Sequence, residues 1–425
     1  MPDTIFALSS GPPPAAIAIV RISGPAALAS LEQLSGPLPA ARLASYRTLR
    51  GEDGEPLDRA LILWLPGPKT STGEDMAELH LHGGRAVIAA IESALAAMPK
   101  LRRATSGEFT RRAFVNGKID LAEAEGLADL LAAETELQRR SAQAMAGGAL
   151  SGVVEHWRER LLMASAAVEA VLDFGDEDDV AGLPPDFSER LEALRAELAE
   201  WLARPRAELL REGFRVVLAG PPNSGKSTLF NVLVESEAAI TAPVPGTTRD
   251  VLTRAVAIVG VPFLFHDTAG LREATDDAIE AIGVERAHSA VANADLVLWL
   301  GPEGEGTAEA WEIAPQSDRH DYRAKHEFRH EVSAVTGAGL EGLRKDLVET
   351  ARLAMPRPGD AALSERQHHL LGQAEQFIAG ASAQADPLLV AEHLRLARVA
   401  FDALLGRTTT EDMFDALFGR FCIGK

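Results

Sequence analysis

Residues 214–228 read FRVVLAGPPNSGKST, an apolar run followed directly by a glycine-framed loop that ends in Lys-Ser. Gly220, Gly225, Lys226 and Ser227 fill the pattern G-x-x-x-x-G-K-[ST]. Glycines there let backbone N–H groups turn inward to meet phosphate oxygens that a Cβ would obstruct. The lysine then bridges the β- and γ-phosphates, and Ser227 supplies a hydroxyl for Mg²⁺. Thr228 and the following LFNVL open a helix whose positive N-terminal end faces the same anion. The alternative, a glycine-rich turn without a ligand, fits poorly with strand, loop and helix standing in their required order.

Outward from that loop, strands and helices alternate over residues 215–352, as a parallel α/β sheet requires. Asp267-Thr268-Ala269-Gly270 follows a second apolar run, VPFLF at 261–265. A carboxylate at the end of that strand can hold the Mg²⁺ water shell, and the Gly270 N–H can meet the γ-phosphate. Between the two motifs lies PGTTRD at 245–250, where a threonine hydroxyl can complete Mg²⁺ coordination only while the γ-phosphate is present, which makes the loop a switch.

The flanks are of two kinds. Residues 1–117 alternate β-type runs, such as 16–22 and 60–65, with Gly/Pro punctuation and one helical stretch at 86–98, which reads as a compact α+β domain. Residues 120–147, 157–172 and 190–210 carry apolar residues at helical spacing, with Leu191, Leu194, Leu198 and Leu202 on one face. The acidic, proline-bearing segment 173–185 reads as a loop between them. After Pro356 and Pro358 the pattern is helical again over 361–421. The expected organisation is multidomain α/β and α+β: an N-terminal domain at 1–117, a helical domain at 118–212 and 354–425, and an α/β domain at 213–353 inserted between its halves.

At 425 residues the chain has room for two to four domains, and 46% hydrophobic residues mark it as globular. No run of about 18 apolar residues suggests a membrane span. The N-terminus lacks a basic n-region and the one cysteine, Cys422, permits no internal disulfide, so an unprocessed, cytoplasmic protein is expected. A net charge of −20 argues against sequence-independent adhesion to nucleic acid, though not against a nucleic-acid substrate. On so acidic a chain the pairs Arg102-Arg103, Arg111-Arg112 and Arg139-Arg140 read as solvated faces. His80 and His82 share one strand face, without a third residue to complete a metal site.

The succession GKS, GTTRD, DTAG and the late Ser333-Ala334-Val335 resembles translation-factor-like GTPases of the TrmE-Era-EngA-like kind, and the resemblance places Ser333, Ala334 and Val335 against a guanine base. The guanine-selecting N-K-x-D motif is represented by Pro315-Gln316-Ser317-Asp318, in which only the aspartate survives. Leu271 stands where Ras-like enzymes carry a water-orienting glutamine. Asn223 with a GTTR switch resembles GTPases that use K⁺ in place of an arginine finger; a loop-capping or packing asparagine is the alternative.

Outside that domain, IVRISG at 19–24, GED at 73–75, Glu78 with HGG at 82–84, GEFT at 107–110, RAF at 112–114, Asn116, KIDLAEAE at 118–125 and the terminal FCIGK resemble the MnmE/TrmE family of tRNA-modification GTPases over essentially the whole chain. The resemblance implies a folate-binding N-terminal domain that forms a homodimer. It implies work with the flavoprotein MnmG (GidA), in a heterotetramer, on C5 of the wobble uridine of certain tRNAs, with a tetrahydrofolate derivative (5-formyl or 5,10-methylene) as carbon source. By matching positions, Arg21, Glu78, Lys118 and Lys425 bind folate, with Cys422 a possible functional thiol. A buried or surface ion pair for Arg21 and Glu78, a solvated Lys118 and a small buried Cys422 are the alternatives.

Asn223, Ala242, Val244 and Thr247 match the K⁺ positions, Ser227 and Thr248 those of Mg²⁺, and Glu280 the glutamate that organises the hydrolytic water; an exposed helix carboxylate is the alternative for Glu280. The expected GTP site also includes Ser224, Gly225, Lys226, Thr228, Pro243, Pro245, Gly246, Asp267, Thr268, Ala269, Gly270 and Asp318, with Lys226, Gly270 and Glu280 catalytic. Two other functions suit the motifs: an RNA- or ribosome-assembly GTPase without modification activity, and a degenerate nucleotide sensor.

Overall fold

The computed structural model describes residues 3–174, 182–235, 238–239, 253–268, 290–408, 417–419 and 421–424. In chain order the elements are β1 (Thr4–Leu8), β2 (Ile17–Ser23), α1 (Ala27–Ser35), β3 (Ser45–Arg50), β4 (Pro56–Leu65), β5 (Met76–His82), α2 (Arg85–Ala97), β6 (Leu101–Arg103), α3 (Glu108–Val115), α4 (Leu121–Ala132), α5 (Glu136–Ala146), α6 (Ala149–Phe174), α7 (Phe187–Leu202) and α8 (Glu208–Glu212). There follow β7 (Phe214–Ala219), α9 (Lys226–Glu235), β8 (Ala238–Ala239), β9 (Thr253–Ile258), β10 (Val261–Asp267), β11 (Leu296–Trp299), β12 (Trp311–Ala314), β13 (His330–Glu331), α10 (Leu340–Ala354), α11 (Glu365–Ala383) and α12 (Pro387–Leu404). They fall into two compact units, one of residues 1–128 and 402–425, the other of 129–401.

The first unit is built on a six-stranded sheet in the order β3-β4-β5-β2-β1-β6. Alternation decides which face is buried. In β2, Ala18, Val20 and Ile22 are buried while Ile17, Ile19 and Arg21 point the other way. Arg21 pairs with Glu78 and Ile19 with His80 on β5, so the outward residues of both strands share one face. Helices α1 and α2 cover the opposite face, α2 inserting Ile88, Ile91 and Leu95 at helical spacing. The C-terminal segment belongs to this unit: Leu417, Phe418 and Phe421 pack with Leu121 and Ala124, and Ile423 bridges to Ser106.

The expectation of solvated arginine pairs fails at Arg112, which is 1% exposed. Its place on the inner face of α3 sets it one turn from Glu108 (3.2 Å), and it also meets Glu74 (3.0 Å) and Asp3 (3.1 Å). Burial would raise the Glu108 carboxyl, but hydrogen bonds from Arg102 and the Thr105 N–H, with both guanidinium charges, hold it below the usual range. Arg139 and Arg140 do lie on an exposed face, each paired to Glu136.

The second unit joins helices to a seven-stranded sheet in the order β13-β12-β11-β7-β10-β9-β8. Its strands pair in parallel except at β10–β9 and β9–β8. Phe214, Val216, Leu218, Phe263 and Phe265 form the middle of its core between α9 and α10. Two of the expected helical stretches are cut at a signal. The run over 120–147 divides into α4 and α5, where Thr135 and Gln138 make a reciprocal capping box. The run over 190–210 divides into α7 and α8 around Pro205. The helix expected to begin at Trp157 starts at Ala149, and it continues to Phe174, inside the segment expected to be a loop; residues 175–181 lie outside the described residues. Trp157, 1% exposed, donates its indole N–H to Glu197 and meets Trp201 edge-on, tying α6 to α7.

Candidate functional site

The sheet order reverses at β7: the chain passes to β10 on one side and then to β11 on the other. In open α/β sheets such a switch point leaves a crevice at the strand's C-terminal end. The loop 220–225 leaves β7 at that point. Gly220 (φ +147°) and Gly225 (φ +93°) are both in backbone conformations closed to most side chains, and a Cβ on Gly225 would sit 3.1 Å from the Gln316 amide nitrogen. Helix α9 begins at Lys226, two residues earlier than expected, so the first-turn N–H groups include those of Lys226, Ser227 and Thr228.

The side chains suit an anion. Lys226 is 4% exposed, and its ammonium donates to the carbonyls of Gly220 (3.0 Å) and Pro221 (2.7 Å), holding the charge over the loop. The Ser224 hydroxyl is buried without a hydrogen-bond partner, capacity that a phosphate oxygen can use. Ser227 and Thr228 are exposed on the first turn. Asp267, 6% exposed, ends β10 opposite Leu218 of β7. The Thr268 hydroxyl donates to the Leu218 carbonyl at 2.8 Å and clips the end of β10 to β7.

The other end of the crevice is a cleft of about 170 Å³ lined by Gly225, Thr228, Leu229, Pro315, Gln316, Asp318, Arg319, Val332, Ala334 and Val335. Ser333 is fully buried; its hydroxyl donates to Asp318 Oδ1 at 2.5 Å and accepts from the Thr336 N–H at 3.1 Å. The residue expected to touch a base thus orients the carboxylate, while Ala334 and Val335 line the cleft. Gln316 and Arg319 were not singled out by motif reasoning. The signal for Gln316 was its position, where the family motif has lysine.

In the first unit, the outward sheet face carries Arg21, whose Nε (3.1 Å) and Nη2 (2.9 Å) both donate to Glu78 Oε1. His80 Nε2 lies 3.3 Å from the other Glu78 oxygen. The pair stays partly open, with side chains 27% and 17% exposed. Lys118 is exposed just after α3. Cys422 is exposed, which overturns the reading of it as a small buried hydrophobe. His82 bonds Asp58 at 2.7 Å, and among the described residues no group of three His, Cys, Asp or Glu could hold a metal. Ala242, Pro243, Val244, Pro245, Gly246, Thr247, Thr248, Ala269, Gly270, Leu271, Glu280 and Lys425 lie outside the described residues. No described helix is long and apolar enough to cross a membrane.

Two family models match: "GTP-binding protein TrmE N-terminus" over residues 4–118 and "MnmE helical domain" over residues 121–422. The tRNA modification GTPase MnmE of Erythrobacter litoralis is 62% identical over 423 residues, covering 100% of both chains. Those of Novosphingobium aromaticivorans (61% over 437 residues, 100% of both) and Rhizorhabdus wittichii (58% over 428 residues, 100% of this chain and 97% of the relative) are similar over the same extent.

Proposed function

This chain belongs to the MnmE family of tRNA modification GTPases, and from that premise we propose that it couples K⁺-assisted GTP hydrolysis to one-carbon modification of the wobble uridine of tRNA. Lys226 and the N–H of Gly270 stabilise the charge that develops on the phosphates, and Glu280 organises the attacking water in place of the missing glutamine. Asp318 pairs with the guanine N1–H and N2–H₂. Mg²⁺ would be held by Ser227 and Thr248. K⁺ would be held by Asn223, the Ala242 and Val244 carbonyls and Thr247, placing positive charge between the β- and γ-phosphates.

The folate reading is supported by Arg21 and Glu78 standing side by side and partly open on one sheet face of the region that matches the TrmE N-terminus model. A folate offers glutamyl carboxylates to cations and pterin N–H donors to a carboxylate, so Arg21, Lys118 and Lys425 on one hand and Glu78 on the other match it chemically. Ile17, Tyr46 and Leu61 lie on the same sheet, 60%, 60% and 45% exposed, apolar surface that suits a homodimer made by the 1–117 domain. The folate derivative, in its 5-formyl or 5,10-methylene form, would supply the carbon added at C5. The flavoprotein MnmG (GidA) would supply the redox chemistry, in the cytoplasm. The domain at 213–353 then acts as a clamp that reports through the helices at 118–212 and 354–425.

The test is GTP turnover in K⁺ against Na⁺, for the parent and for Glu280→Ala, with wobble-uridine analysis of tRNA from cells lacking the chain. A loss of rate on the order of a hundredfold in Na⁺ and in the variant is expected. Equal turnover in the two salts ends the K⁺ assignment, and fully modified tRNA in the deletion strain ends the function.

A further inference from the structure

Five non-glycine residues have a positive φ among the described residues, and two of them, Asn223 (φ +62°) and Gln316 (φ +59°), are hydrogen-bonded to each other. Gln316 Nε2 donates to the Asn223 carbonyl at 3.2 Å, across 93 residues of sequence. Such backbone conformations cost free energy for residues with a Cβ and persist where the surroundings over-determine them. The surroundings do so here. The Gln316 amide lies against Gly225, where a Cβ would meet it at 3.1 Å. Its Oε1 accepts from Arg319 Nη1 at 3.1 Å, which fixes the amide's orientation and aims the NH₂ at the phosphate loop. Arg319 is itself held by Asp321 through two bonds, at 2.8 and 3.1 Å.

We propose that Gln316 is a positioning residue for GTP binding: its amide donor ties the base-recognition segment 315–319 to the phosphate loop at Asn223. The guanine-contacting carboxylate and the phosphate cradle are thereby kept a fixed distance apart although the lysine of the guanine motif is missing. The Gln316–Arg319–Asp321 chain replaces one long cationic side chain by a neutral donor braced from behind. The same bond restrains the loop backbone at Asn223. The inference rests on the assignment of the cleft around Asp318 as the base site.

The test is the affinity for a fluorescent N-methylanthraniloyl-GDP, titrated into the full-length protein with position 316 varied. A hydrogen-bond donor is what the geometry requires, so Gln316→Ala should weaken binding about fivefold, the worth of one neutral hydrogen bond. Gln316→Glu should do worse, beyond about tenfold, because an acceptor then faces the Asn223 carbonyl. Gln316→Lys should bind within about twofold of the parent, since its ammonium donates to the same carbonyl. Gln316→Gly keeps the backbone conformation without a side chain, so the nucleotide-free protein should melt no lower than the parent while its GDP affinity falls like that of the alanine variant.

The order Gln and Lys, then Ala, then Glu supports a donor. A glutamate variant as good as the parent, or an unchanged glycine variant, overturns the proposal. Asp318→Asn separates this from the assignment beneath it: an Asp318 variant that binds GDP normally removes the base site and the inference together. A strong Asp318 effect with no effect at 316 removes only the role of Gln316.

Discussion

Arg112→Ala should open the first unit. Arg112 is 1% exposed and its guanidinium meets Glu74 at 3.0 Å, Asp3 at 3.1 Å and Glu108 at 3.2 Å, besides donating to the Asp3 carbonyl at 3.0 Å. Removing one side of a buried ion pair costs about 3–5 kcal/mol, because the partner is left charged and dry. Two contacts moderate the loss. Glu108 keeps Arg102 at 2.8 Å and Glu74 keeps the Ser23 hydroxyl at 2.8 Å. Asp3, with its side chain 33% exposed, can turn to water. The low end, ~3 kcal/mol, is therefore expected, which is about a hundredfold in an opening equilibrium. Native-state hydrogen exchange of the amides in β1 and β2 reads that opening directly. Exchange there should quicken about a hundredfold, with the second unit unaffected. Arg139→Ala, which removes a side chain 51% exposed, is the control and should change little. A change of less than about threefold in the Arg112 variant would show that its carboxylate partners are solvated, and the argument from burial would be refuted.

Three further predictions follow from single contacts. Gly107 has φ +66°, and a Cβ there would lie 2.2 Å from the Phe418 carbonyl, so Gly107→Ala should undock the segment around Phe418 and make the C-terminus the first site of limited proteolysis. Arg21→Met should lower tetrahydrofolate affinity at least about tenfold by equilibrium dialysis, with a smaller loss of stability than Arg112→Ala because the Arg21–Glu78 pair is partly open to solvent. Burial pushes the His330 imidazole below its ordinary 6.5, outweighing Asp346. The unfolded chain therefore takes up this proton first as pH falls, and the contribution of His330, complete above 6.5, is lost on the way down to its folded value. The melting temperature should drop between pH 7.5 and about pH 5.5, and His330→Gln should flatten that slope.

What could be read in advance was what is contiguous in the chain. The phosphate loop declares itself because its strand, glycines, lysine and helix are neighbours in sequence, and the structure departs only in starting α9 at Lys226. Arg112 was misjudged because Arg111-Arg112 is indistinguishable from an exposed basic pair until Asp3, 109 residues away, and Glu74, 38 residues away, come to meet it. The division of the 120–147 run was present in the Thr135/Gln138 capping box, and that of the 190–210 run in Pro205; continuous apolar spacing hid both. The place of the C-terminal segment with the first unit depends on Phe418 and Phe421 finding Leu121, a contact no periodicity foretells.

The segment 315–318 shows how a motif that has lost two of its residues can still leave an ordered cleft. A motif records side chains, whereas the cleft is held in part by backbone: the Ser317 N–H donates to the Val332 carbonyl at 3.2 Å, and this bond does not depend on the side chain at 315 or 316. With the segment anchored that way, the missing asparagine leaves Asp318 still oriented by Ser333 at 2.5 Å, and the missing lysine leaves a tether to the phosphate loop through Gln316. What the two hydrogen bonds hold is the position of one carboxylate relative to one cradle, Ser333 fixing Asp318 and Gln316 reaching the Asn223 carbonyl, and neither bond needs the residue types of the usual motif.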